Sequence, residues 1–139
     1  MFDIKIKNVD GKNLVFDPLR KKFVVLTPEE WVRQHFVHLL INKYKYPKSL
    51  IKLESGLKYN KLSKRTDIVV YDRNGDTFLV VECKAAHILL NQETLKQVTT
   101  YNLTMKAKYI AVTNGLQHFC CAIDHKEKAC TFLNDLPVL

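Results

Sequence analysis

Two apolar runs, Thr66 to Tyr71 and Thr77 to Lys84, flank the segment Asp72-Arg-Asn-Gly-Asp76, and this arrangement constrains the fold more than any other feature of the chain. Asn-Gly between apolar runs is the strongest short hairpin signal, because both residues tolerate the positive φ that a tight turn requires. With Asn74-Gly75 as a two-residue loop, Arg73 faces Asp76, Tyr71 faces Phe78, Val69 faces Val80 and Asp67 faces Glu82. Directly opposed residues point to the same face, with Cβ atoms about 4.5–5.5 Å apart. Two carboxylates then stand side by side at the end of an apolar hairpin. Lys84, two residues beyond Glu82, projects from that same face, and Cys83 points the other way.

Opposed like charges destabilise a sheet, so something must offset the repulsion. A shared proton is one solution. A divalent cation is another: Mg²⁺ needs only one or two carboxylates and fills its remaining positions with water and substrate phosphate. A lysine beside such a site can position a water held by the metal, the layout of metal-assisted phosphodiester hydrolysis. The competing reading makes Asp67 and Glu82 strand-end charges neutralised by Lys84 or Arg65, since a D…E-x-K pattern is short and frequent by chance.

The rest of the chain supplies a frame for this hairpin. Residues 2–7 alternate apolar and polar, Asp10-Gly11 marks a turn, and Leu14-Val-Phe16 returns as a second strand. Phe23 to Leu26 is another short apolar run. Thr27 caps a helix that begins at Pro28, carries Glu29 and Glu30 in its first turn and runs to about Lys43, with Val32, Phe36, Leu39 and Leu40 on one face. A strand is expected over Ser49 to Lys58, and a second helix from Asn91 or Gln92 to about Lys106. Tyr109 to Thr113, Phe119 to Ile123 and Ala129 to Leu133 complete the strands. The expected fold is α/β in the α+β sense, a mixed central sheet flanked by helices with an extra N-terminal β-hairpin. A length of 139 residues fits a single domain, with 1–26 as a β extension and 27–137 as the core.

Charge points to a polyanion. The formal net charge is +8, and between Lys43 and Arg65 the cations Lys43, Lys45, Lys48, Lys52, Lys58, Lys61, Lys64 and Arg65 are opposed by Glu54 alone. No stretch of sequence is both basic and aromatic-rich in the way that reads single-stranded bases, and none resembles a recognition helix, so nucleic-acid contact is expected to be directed at the backbone. Cys83, Cys120, Cys121 and Cys130 form no C-x-x-C pair and are expected as reduced thiols packed as small hydrophobes, adjacent Cys120 and Cys121 on opposite faces. His118, Cys120, Cys121, His125 and Cys130 lack the usual zinc-ligand spacing. The alternating N-terminus is unlike a signal peptide and no apolar run approaches bilayer length, so the expectation is a cytoplasmic protein without membrane contact.

Five pieces of the chain, in order, carry a resemblance: Thr27-Pro-Glu-Glu-Trp-Val-Arg-Gln34, Arg65-Thr-Asp-Ile-Val-Val-Tyr-Asp72, Val80-Val-Glu-Cys-Lys-Ala85, Gln97-x-x-x-Tyr101 and Thr113-Asn-Gly115. Together they resemble the PD-(D/E)XK nuclease superfamily with its restriction-endonuclease-like core. More closely, they resemble the N-terminal nuclease domain of type I restriction enzyme R subunits, in a short stand-alone form. The resemblance implies a DNA endonuclease dependent on Mg²⁺ or Mn²⁺. Asp67 and Glu82 match the metal-binding acids, with the Cys83 carbonyl as a further ligand, and Lys84 matches the catalytic lysine. Gln97 and Tyr101 look like the Q-x-x-x-Y motif that supports the site, and Glu30 is similar to a helix-borne acid that joins the metal in many members. Lys58, Lys61, Lys64 and Arg65 would contact DNA. Thr66 replaces the namesake proline.

Competing readings stand beside these roles. Glu30, three residues after Thr27, also completes a capping box. Tyr101 shares an apolar helix face with Leu95, Val98 and Met105. Glu54 is either a further acid or a partner for nearby lysines, and His87 is a surface histidine near enough to Lys84 to meet a phosphate. No G-x-x-x-x-G-K-[ST] motif is present, so translocation would need a separate motor or specificity subunit. Two-strand cutting is compatible with a homodimer. The alternative function is a catalytically silent DNA-binding or protein-docking module that keeps the nuclease fold.

Overall fold

The computed structural model describes residues 4–53, 68–94 and 106–139. Nine strands in this part of the chain form two sheets. The first is an antiparallel meander of β1 (Ile6–Val9), β2 (Lys12–Asp17) and β3 (Lys22–Val25). Its first turn is Asp10-Gly11, with φ of 51° and 81°, so Val9 pairs with Lys12 across a two-residue loop. The expected N-terminal hairpin is therefore present and carries a third strand. The apolar run from Phe23 folds back on β2 because Asp17 accepts the backbone N–H groups of Leu19 and Arg20 and closes the intervening turn.

Helix α1 (Pro28–Asn42) starts where the cap signals predict, with the Thr27 hydroxyl accepting the Glu30 N–H at 3.0 Å. It stops at Lys43 without a glycine. Lys45 takes the left-handed conformation, φ 60°, and the Tyr46 N–H returns to the Leu40 carbonyl. The tail of the chain is fastened here: the Tyr46 hydroxyl donates to the Pro137 carbonyl and the Tyr44 hydroxyl to Asp135.

The second sheet has six strands in the order β4 (Ile51–Leu53), β5 (Ile68–Tyr71), β6 (Thr77–Cys83), β7 (Tyr109–Thr113), β8 (His118–Asp124) and β9 (Ala129–Leu133). It is mixed: β6 and β7 are parallel and every other neighbouring pair is antiparallel. Ser49 and Leu50, expected in a strand, belong to a short 3₁₀ turn, Lys48–Leu50, that follows Pro47. The architecture is α+β, as expected.

Both faces of the six-stranded sheet bury apolar side chains. On one, Ile68, Val70, Leu79, Val81, Cys83, Ala111 and Cys120 pack with Val32, Phe36, Val37 and Leu40 of α1. On the other, Val69, Val80, Ile110, Val112 and Cys121 pack with Leu90 and Ala107. A second helix opens at residue 92, where the Asn91 side chain accepts the Thr94 N–H. Adjacent Cys120 and Cys121 lie on opposite faces, as alternation requires, and burial pushes the Cys120 thiol up to about 12. Cys130 departs from the expectation for the cysteines: it is free but exposed, because β9 is an edge strand. Among the described residues no helix is long and apolar enough to cross a membrane.

Candidate active site

The hairpin that organises the site is built differently from a two-residue Asn-Gly loop. The Asp72 N–H donates to the Asp76 carbonyl and the Gly75 N–H to the Asp72 carbonyl, which leaves Arg73, Asn74 and Gly75 as a three-residue loop. The Asp72 carboxylate accepts the N–H groups of Asn74 and Asp76, and Gly75 adopts φ 87°, where a side chain would be strained. This loop sets Tyr71 opposite Thr77 in place of Phe78. A bulge then restores the offset: Val70 faces Leu79, Val69 faces Val80 and Ile68 faces Val81, the pairs that the sequence register requires. Phe78 is the extra residue, and it joins Leu79 in the core beneath α1.

Glu82 follows Val81 on β6 and is level with Val112 of β7. By alternation it points to the face of Val80 and Val112, away from α1. Lys84 lies just past the strand, yet its N–H still donates to the Thr113 carbonyl at 2.8 Å, so its backbone stays in the sheet. The Lys84 ammonium is 3.1 Å from a Glu82 carboxylate oxygen, and these side chains are 32 % and 20 % exposed. The spacing of two residues in sequence is thus realised as an ion pair at the C-terminal end of a buried strand, open to solvent on one side.

The Thr113-Asn-Gly115 segment holds this strand end from behind. Asn114 is buried, and its carboxamide oxygen accepts the N–H groups of Leu116 and Gln117 while its amide nitrogen donates to the Ile88 carbonyl at 2.8 Å. One side chain therefore closes the turn after β7 and secures the loop that follows Lys84. The sequence places this asparagine in a motif without giving it a role, since its only local signal is the turn-forming pair Asn-Gly. Gly115 has φ 88°, and a Cβ there would stand 3.4 Å from Val32 of α1.

Glu30 has a different setting. It is 5 % exposed, at the start of α1, and its carboxylate lies 2.5 Å from Arg33 and 3.9 Å from Arg20, which is itself 2.7 Å from fully buried Asp17. The Thr27 half of the capping box forms. The carboxylate turns to the arginines. This ion cluster joins the meander to α1 and lies on the α1 side of the six-stranded sheet. His87 is exposed. A cavity of about 330 Å³ beside Gly115, lined by Val32, His35, Phe36, Leu39, Thr113 and His118, also opens on the α1 side. Asp67, Glu54, Gln97, Tyr101, Lys58, Lys61, Lys64 and Arg65 lie outside the described residues.

The family model for the type I restriction enzyme R protein N terminus (HSDR_N) matches residues 28–137. The chain belongs to this family. The match starts at the first residue of α1 and ends four residues past β9, so it takes in Glu30, Glu82, Lys84 and Asn114 and leaves the N-terminal meander outside. No individual curated protein matches the chain. Oxygen is the donor at this strand end: the Glu82 carboxylate and the Cys83 carbonyl are hard ligands of the type Mg²⁺ and Mn²⁺ take. Among the described residues no three His, Cys, Asp or Glu side chains converge on one point.

Proposed function

We propose that this R-protein N-terminal domain is a divalent-metal-dependent DNA endonuclease whose site is Asp67, Glu82 and Lys84. The observation that carries the reading is the Glu82–Lys84 pair at 3.1 Å, held at the end of β6 in a hairpin where Val69 faces Val80 and Ile68 faces Val81. Asp67 and Glu82 would hold Mg²⁺ or Mn²⁺ with the Cys83 carbonyl, while Glu30 stays with Arg33 on the α1 side. When bound, the cation polarises the phosphodiester and makes water a competent nucleophile. Lys84 keeps its ammonium beside the attacked phosphate, where it orients the water and offsets charge that develops in the transition state. Asn114 acts through the backbone, holding the loop that follows Lys84. Gln97 and Tyr101 support the site, and Lys58, Lys61, Lys64 and Arg65 hold the duplex through its phosphates. The chain works with a separate motor or specificity subunit, or as a homodimer when both strands are cut.

Cleavage of supercoiled and linear duplex DNA with Mn²⁺ or Mg²⁺, with Lys84→Ala in parallel, tests this. Cutting by the natural chain, its loss in Lys84→Ala and its loss on chelation support the reading. Equal cutting by both proteins overturns the lysine assignment. A second reading has one observation in its favour: Lys84 already neutralises Glu82, as a silent DNA-binding or docking module would need. A melting temperature indifferent to Mn²⁺, with no cutting, would favour it.

A further inference from the structure

The meander that precedes the matched family segment presents an outer face of unusual make-up. Strand pairing sorts its residues into two sets. Val15 and Asp17, both fully buried, lie on the inner face with Val24 and Lys22. The other set is Lys7, Val9, Lys12, Leu14, Phe16, Phe23 and Val25. Lys5 joins it, since the Phe16 N–H donates to the Lys5 carbonyl and extends the ladder by one pair. Lys5, Lys7 and Lys12 are exposed, Val9 and Val25 are 43 % and 55 % exposed, and the two phenylalanines are half-buried.

The rings and the ammonium groups are interleaved. Phe16 and Phe23 stand edge to face with centroids 5.3 Å apart. The Lys7 ammonium lies 4.0 Å from the Phe23 centroid and that of Lys5 lies 5.9 Å from the Phe16 centroid. Among the described residues, Asp10 in the β1–β2 turn is the carboxylate at the margin of the face. Lys21 adds charge at the β2–β3 turn. A basic, aromatic-bearing surface exists here although no contiguous stretch of sequence has that composition.

We propose that the outer face of this meander binds a single DNA strand, with phosphates on Lys5, Lys7 and Lys12 and bases stacked on Phe16 and Phe23. The apolar component decides between single strand and duplex. A duplex presents phosphates and groove edges to a flat sheet, and the rings and valines would gain nothing. A single strand presents base faces as well, and these match aromatic rings set among lysines. A base that stacks on Phe23 displaces the Lys7 ammonium from the ring face to the neighbouring phosphate, a move the flexible four-carbon stem allows. The surface lies outside the family segment and is independent of Asp67, Glu82 and Lys84.

The test is anisotropy of a labelled fifteen-nucleotide oligothymidylate and of a duplex of matching length, titrated with the full chain in a chelator. Binding without metal cannot report on cleavage, so failure here leaves the nuclease reading standing, and a silent Lys84 site leaves this measurement unchanged in meaning. The expected results are tighter binding of the single strand than of the duplex, and a loss of about tenfold or more in the variant carrying Lys5→Gln, Lys7→Gln and Lys12→Gln. Its salt slope should fall by about 2, because each phosphate that a lysine neutralises on a single strand contributes about 0.7. Phe23→Leu keeps apolar bulk, removes the ring, and should weaken the single strand about fivefold or more. Wild-type affinity in the triple lysine variant overturns the proposal, as does an unaffected Phe23→Leu. Should Phe23→Leu lower the melting temperature, the strand preference of the natural chain decides: equal affinity for single strand and duplex overturns it. Displacement of the oligonucleotide by poly-glutamate of matched charge also overturns it.

Discussion

Glu30 and Glu82 both lie within the family segment, and the two faces of the six-stranded sheet treat them differently. Glu30 is buried on the α1 side, bound to Arg33 and within reach of Arg20, in a cluster that joins helix to meander. Glu82 is on the opposite face at a strand end, part-exposed, with Lys84 two residues away. A buried, doubly paired carboxylate supports the structure, because removing it takes the counter-charge from a desolvated arginine. A part-exposed carboxylate beside a flexible ammonium can exchange it for a cation. Position within the same family segment therefore does not imply the same work.

The largest effect expected from breaking this contrast is on turnover. Glu82→Gln and Lys84→Ala should each lower cleavage at least a hundredfold and shift stability by less than about 1 kcal/mol, since a part-exposed pair contributes little. Parallel melts and cleavage assays check this, and a large melt shift in either variant would move Glu82 into the structural class. Glu30→Ala should do the reverse, costing about 3 kcal/mol in denaturant titrations by taking the carboxylate away from buried Arg33. Glu30→Gln sharpens the point: a normal melt with lost cutting would break the contrast between the two carboxylates. Asn114→Ala should cost about 2 kcal/mol, because two backbone donors and the Ile88 carbonyl lose their partner. Protease nicking near residue 88 would show whether the loop after Lys84 is released first.

The smallest effect is on pH dependence and belongs to the α1 side. Burial holds the imidazoles of His38 and His118 below their ordinary 6.5. As pH falls through 6.5 the unfolded chain takes up protons that the folded chain does not. Their contribution is thus full above that pH and declines as acid is added. His118→Gln should reduce the fall in melting temperature between pH 8 and pH 5 by about 2 °C. An unchanged pH profile would mean His118 titrates normally in the fold.

Much of the frame was legible in sequence because its signals are local. The Thr27 cap with Pro28, the Asp10-Gly11 turn and the apolar runs of β6 and β7 each act within a few residues, and each appears where expected. The end of α1 also falls where expected, near Lys43, although Lys45 beyond it takes a conformation that normally announces itself with glycine. The hairpin register was read correctly for Val69 and Val80 through a loop that was read incorrectly, because the three-residue turn and the Phe78 bulge cancel. Of the site, the Glu82–Lys84 pair follows from alternation alone. Asp67, Gln97 and Tyr101 lie outside the described residues, so their roles rest on the family resemblance.

By itself, then, the sequence determined which segments become strands and helix, that Glu82 and Lys84 share a face, and which family the chain belongs to. Those are properties of neighbours along the backbone, set by alternation, capping and turn chemistry. Only tertiary structure decided that Glu30 faces arginines, that Asn114 holds the loop behind Lys84, and that lysines and phenylalanines from three strands form one surface. Each of these depends on residues brought together by pairing and burial across separations that no local pattern encodes.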